Sequence, residues 1–123
     1  MTCALPQSPL AVLLVEDEPL VRLAGERAIQ AMGYRPSVAA NGREALNLLA
    51  ADPAIDVMIT DMHLPGMNGR ELAAEASRIH PRLKILLSTG SEPHISGDCA
   101  LPVLLKPYLE EDLAKAIRDV AAA

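Results

Sequence analysis

The 123-residue chain contains two tyrosines and neither phenylalanine nor tryptophan. Modules that read single-stranded nucleic acid stack bases on aromatic side chains, and almost nothing here could build such a platform. Basic charge is also scarce: 11 Lys and Arg stand against 16 Asp and Glu, a formal charge of −5. A general binder of phosphate backbones is excluded on that ground. Cysteine is limited to Cys3 and Cys99, with no metal-ligand spacing around either. Two thiols so far apart in the chain are read as free and reduced. No apolar run approaches the roughly 18 residues of a membrane-spanning helix. No basic residue precedes the apolar run at 10–15, which argues against a secretory leader. The expected compartment is the cytoplasm, with neither a membrane nor nucleic acid as partner. The initiating Met and short lead-in favour a chain that stands alone.

What is present is a core. Half of the residues are hydrophobic and 22% are charged, so the chain folds, and its length suits one domain. The core must be made of Leu, Ile, Val, Met and Ala. Short continuous apolar runs occur at 10–15, 55–60, 83–88 and 102–105, with a weaker one at 36–40. Such runs suit strands buried on both faces of a parallel sheet. Helical stripes lie between them: Val21, Ala24, Ala28, Ala31 and Met32; Ala45, Leu46 and Leu49; Leu72, Ala76 and Ile79; Leu109, Leu113, Ala116, Ile117 and Val120.

The punctuation agrees. Asp17-Glu18-Pro19 reads as a cap followed by Pro at the first helical position. Gly33 follows a helix end, Asn41-Gly42 opens a helix, and Asn68 with Glu71 forms a capping-box pattern. Gly25 is the exception, inside the first helix, where it weakens the propensity. Alternating strands and helices with right-handed crossovers give an α/β fold, a five-stranded parallel sheet covered on both faces. Ligands of such sheets bind outside the carboxyl ends of the strands.

The chemically active residues fall at those ends. Strand one runs into Glu16, Asp17 and Glu18, strand three into Asp61, strand four into Thr89, and strand five into Lys106. Three carboxylates crowded into one crevice repel one another, and a hard divalent cation with oxygen ligands, Mg²⁺, relieves the repulsion. Its open positions suit phosphoryl oxygens, and a carboxylate is a competent nucleophile toward phosphorus. Lys106 supplies a compact positive charge and Thr89 a hydroxyl. Phosphoryl transfer needs little beyond such placement and neutralisation.

The segments LLVEDEP, ITDMHLPGMNG, LLSTG and LLKPY resemble the signature of bacterial response-regulator receiver domains, over residues 9–121, with 1–8 as an N-terminal tail. The resemblance implies a flavodoxin-like, doubly wound sheet of strand order 2-1-3-4-5. It implies that Asp61 is the phosphoacceptor, Asp17 a direct Mg²⁺ ligand and Glu16 a second acid acting through water. It adds the backbone carbonyl of His63 as a third protein ligand. Thr89 corresponds to the switch hydroxyl, Lys106 to the lysine bonded to the acceptor, and Pro107 to the residue after a cis peptide bond. Pro65, Gly66 and Gly69 match the loop after the acceptor strand. The implied partners are a sensor histidine kinase or histidine phosphotransfer protein, and a downstream protein target reached through an altered binding face.

Two departures from the family pattern stand out. Val103 occupies the place of an aromatic residue whose rotamer normally follows the switch hydroxyl. Lys106 also follows Thr89 sooner than in a typical receiver, and the Gly- and Pro-containing stretch at 90–101 has few apolar residues at helical spacing. The helix between strands four and five is therefore expected to be short or replaced by a loop. This pairing looks like a subset of alphaproteobacterial receivers associated with HWE kinases. Leu109 also stands where a capping Asp or Ser would start the last helix, with Glu110, Glu111 and Asp112 compensating by charge.

A second reading, a degenerate receiver acting as a phosphorylation-independent interaction module, draws on Val103 and the short loop; the full set of acids, Thr89 and Lys106 counts against it. An aspartyl phosphohydrolase would want a second Asp at position 63, which is His. A nucleotide site would want a Gly-rich loop after strand one, and none follows. His80, His94, Cys3 and Cys99 have no partner spacing and are read as non-functional.

Overall fold

The computed structural model describes residues 10–90 and 101–122. The described elements run β1 (Ala11–Val15), α1 (Pro19–Ala31), β2 (Arg35–Ala39), α2 (Gly42–Ala51), β3 (Val57–Asp61), α3 (Gly69–Ile79), β4 (Lys84–Thr89), β5 (Val103–Leu105) and α4 (Glu110–Ala122). The strands form one parallel sheet in the order β2-β1-β3-β4-β5, as the sequence implies. The expectation for the helix between β4 and β5 falls on residues 91–100, outside the described residues, as do Cys3, His94 and Cys99.

Burial explains why continuous apolar runs became strands. Every residue of β1 is buried, as are the first four of β3 and the last five of β4. These central strands have helices on both faces and no solvent side. One face packs Leu13, Met58 and Ile85 against Ala45 and Leu49 of α2 and Leu72, Ala73 and Ala76 of α3. The other packs Leu14, Ile59 and Leu86 against Ala28 and Ile29 of α1 and Leu113, Ile117 and Val120 of α4. β2 is an edge strand, so Pro36 removes no ladder donor that a further strand would need.

The helix stripes need three corrections, the simplest at Leu109, which begins the expected stripe of the last helix but precedes α4 and is 63% exposed. In α1 the buried residues are Gly25, Ala28 and Ile29, whereas Val21, Ala24 and Ala31 of the expected stripe face outward. The cause is Gly25: a Cβ there would stand 2.5 Å from Leu14 Cδ2, so the glycine lets α1 lie close against β1 and turns the helix about it. In α3 the stripe ends early, and Ile79 is 46% exposed.

The caps are mostly those expected. Asn68 and Glu71 form the capping box of α3, and the Asn41 side chain accepts from Glu44 N–H at 2.9 Å. Gly33, after α1, takes φ +86°, a conformation that favours glycine. The start of α1 differs from expectation. Neither Asp17 nor Glu18 caps it by side chain; Glu18 is the N-cap without a cap hydrogen bond, and Pro19 follows at the first helical position. At α4, Asp112 does more than supply charge: its Oδ2 accepts from Leu109 N–H at 3.0 Å, the reciprocal half of a capping box.

Candidate functional site

The carboxyl ends of the strands lie side by side because the ladders continue past the regular elements. Glu16 N–H donates to Ala39 O at 3.0 Å, Met62 N–H to Ser88 O at 2.8 Å, and Lys106 N–H to Thr89 O at 2.8 Å. Glu16, Asp61, Thr89 and Lys106 are thus carried by main chain paired with a neighbouring strand.

In that frame Glu16, Asp17 and Asp61 each offer a carboxylate oxygen within 4.8 Å of the others. Lys106 reaches across: its Nζ donates to Glu16 Oε1 at 2.8 Å and to Asp61 Oδ2 at 3.3 Å. The Glu16 side chain is 4% exposed and the Asp61 side chain 14%, so these are sheltered contacts. Glu16 is saturated. Its Oε2 accepts from Glu18 N–H at 3.2 Å, and its carbonyl oxygen accepts from Arg22 Nη1 at 2.9 Å. Asp17 is exposed. With three carboxylates against one ammonium, the crevice holds a surplus of two negative charges. Hard oxygen donors in that number and spacing fit a divalent cation such as Mg²⁺.

The electrostatics of Lys106 follow from this arrangement. Burial pulls its ammonium down, but the hydrogen bond to Glu16 and the charges of Asp61 and Glu16 outweigh burial and hold it above the ordinary lysine value. Burial raises the Tyr108 phenol against the opposing charge of Lys106. Thr89 is buried at the end of β4, in register with Leu105 of β5. Val103 sits half-buried on β5 beside Leu87. His63 is exposed in the turn after β3, and the Lys106–Pro107 peptide bond is cis. The structure thus brings Glu16, Asp17, Asp61 and Lys106 into one cluster, with Thr89 on the neighbouring strand end. Sequence reasoning did not find Arg22, whose bond goes to a main-chain carbonyl and leaves no side-chain pattern.

The turn that carries β3 into α3 is close-packed. Gly69 N–H donates to Met62 O at 2.8 Å. A Cβ on Gly69 would stand 2.5 Å from Asp61 O and 2.9 Å from Met62 Cα. Both neighbours are backbone and cannot swing aside. Gly69→Ala is expected to cost about 2 kcal/mol and to displace Asp61. Urea unfolding measures it, and a loss below about 0.5 kcal/mol would show that the turn yields.

A doubly wound parallel sheet of this strand order, with an acid cluster and a lysine at its carboxyl edge, defines the class of protein. The comparisons name the family. Residues 12–118 match the model of the response regulator receiver domain. The chain is 33% identical over 117 residues to the response regulator receiver protein CpdR of Brucella abortus, covering 91% of this chain and 97% of that protein. It is 33% identical over 115 residues to the sensor kinase CckA of the same organism, covering 89% of this chain but 12% of the kinase. Among solved structures, the chemotaxis protein CheY4 of Vibrio cholerae superposes with a TM-score of 0.84 at 28% identity, over 91% of this chain and 98% of that one. The receiver domain of the hybrid histidine kinase CckA gives 0.79 at 29%, over 90% and 98%. The chain belongs to the response-regulator receiver family of bacterial two-component systems. Among the described residues no helix is long and apolar enough to cross a membrane.

Proposed function

We propose that this receiver is an active phosphoacceptor, taking a phosphoryl group onto Asp61 from a phosphohistidine on a sensor histidine kinase or histidine phosphotransfer protein. The observation that supports this most directly is the convergence of Glu16, Asp17 and Asp61 within 4.8 Å, with Lys106 reaching two of them. A degenerate receiver would have no reason to keep both halves of that arrangement.

In this reading Asp17, Asp61 and the His63 carbonyl would hold Mg²⁺, and Glu16 would serve as the second acid, acting through water. When bound, the ion neutralises charge developing on the phosphoryl oxygens. One Asp61 carboxylate oxygen attacks phosphorus in line with the leaving imidazole nitrogen. The O–P bond forms, the P–N bond breaks, and its electron pair stays on the imidazole nitrogen, which takes up a proton. Lys106, already bonded to Asp61, neutralises the acyl phosphate. The Thr89 hydroxyl closes toward a phosphoryl oxygen. That movement shifts the population of the face at β5 toward a state a downstream protein recognises.

Val103 favours one competing detail: a valine cannot swing between buried and exposed rotamers as an aromatic does, so the usual aromatic half of the switch is absent. The test is intact mass after incubation with acetyl phosphate. With Mg²⁺ the wild-type chain should gain one phosphoryl group, and chelation of the ion should prevent it. No gain with Mg²⁺ would favour the phosphorylation-independent interaction module instead.

A further inference from the structure

We infer that Arg22 is a positioning residue for the cation site, fixing the Glu16–Asp17 peptide so that the two acids point into the crevice together. The inference rests on the cation site proposed above. Arg22 lies in the first turn of α1, and its own N–H donates to Glu18 O at 2.9 Å, so its backbone belongs to the rigid start of the helix. From there Nη1 reaches back to Glu16 O at 2.9 Å. That carbonyl is half of the peptide unit joining Glu16 to Asp17.

Glu16 is otherwise fixed at its N–H by Ala39, at Oε1 by Lys106 and at Oε2 by Glu18. Without the guanidinium, the Glu16 carbonyl loses the side-chain donor that holds it where the chain leaves β1. Asp17 has no such scaffold of its own: it is exposed, beyond the end of β1 and ahead of α1. The peptide plane that precedes it sets where its Cα stands, and so whether the carboxylate can reach the crevice. An arginine suits the task because its planar fork is preorganised and stays charged, so less freedom is lost in making the bond.

The arrangement separates position from charge. A cation beside three acids opposes a second cation by simple Coulomb repulsion. If Arg22 acted only by charge, removing it would tighten divalent binding. If it positions Glu16 and Asp17, removing it loosens binding, as loss of supporting contacts behind metal ligands does, by roughly tenfold.

The experiment titrates Mn²⁺ into the wild type, Arg22→Met and Arg22→Lys, reading free ion by electron paramagnetic resonance well below the unfolding temperature. Amide exchange of Glu18 is followed in the metal-free proteins, where a purely global loss of stability would raise all core amides alike. Wild type should bind, R22M should bind about tenfold more weakly, and R22K should recover part of the loss. Glu18 exchange should rise selectively in R22M. Tighter or unchanged binding by R22M overturns the positioning role while leaving the phosphoacceptor reading intact. No Mn²⁺ binding by the wild type overturns both.

Discussion

Replacing Asp61 with Asn should abolish the phosphoryl adduct while making the metal-free protein slightly more stable. The amide fills the same space but is not a nucleophile toward phosphorus, so acetyl phosphate with Mg²⁺ should leave the mass of D61N unchanged. The stability gain follows from counting neighbours. Asp61 faces two like charges, Glu16 and Asp17, and one opposite charge, Lys106. Removing its charge deletes two repulsions at up to 4.8 Å and one attraction at 3.3 Å, a net relief of about 0.5 kcal/mol screened as in water. Lys106 keeps its shorter bond to Glu16, 2.8 Å against 3.3 Å, so the lysine is not stranded. In Mg²⁺ the order reverses, because D61N has lost a carboxylate ligand and gains less from the ion. Thermal melts with chelator and with Mg²⁺ should therefore cross. An adduct on D61N equal to that on the wild type would exclude Asp61 as acceptor.

Lys106→Met should have the largest effect on stability. The variant leaves Glu16 with a side chain 4% exposed and without its ion-pair partner, the nearby Arg22 being bonded to its carbonyl instead. Breaking a sheltered pair from one side costs roughly 3 kcal/mol, because the remaining charge stays buried and unanswered. In a domain of this size that lowers the melting temperature by about 10 °C in chelator. Mg²⁺ should restore much of the loss by neutralising the same carboxylates, up to about 2.7 kcal/mol at a hundredfold excess over its dissociation constant. The alkaline limb provides a second check. Lys106 is held above its ordinary value, so its contribution is present below the unfolded lysine value, near 10.4, and is lost as pH rises through the higher folded value. Tyr108, also raised, adds to the same fall. Urea midpoints of the wild type should drop above about pH 10, and those of K106M should drop less. If K106M in chelator melts with the wild type, the Glu16–Lys106 bond does not hold the crevice together.

Much of this site was legible because parallel sheets impose two strong regularities. Strands buried on both faces read as unbroken apolar runs, and ligands collect where those runs stop. Glu16, Asp17, Asp61, Thr89 and Lys106 all follow such runs, so their convergence could be read from spacing alone. Helix faces were less legible. The α1 stripe was misplaced because its closest contact with β1 is made by Gly25, which has no side chain to count. The link between Asp112 and Leu109 was read only as charge, because a reciprocal cap shows in sequence only when its first residue is a polar capper. Arg22 was invisible for a related reason: any residue offers a carbonyl, so the sequence of its acceptor carries no mark.

The chain's poverty in aromatics has an optical consequence. With no tryptophan or phenylalanine, the near-ultraviolet absorption and emission of the unlabelled protein come from two phenols, Tyr34 and Tyr108. Both rest on the core face shared by α1 and α4, and Tyr108 stands two residues after the lysine of the crevice. Its phenol is therefore the natural optical probe of charge at the crevice.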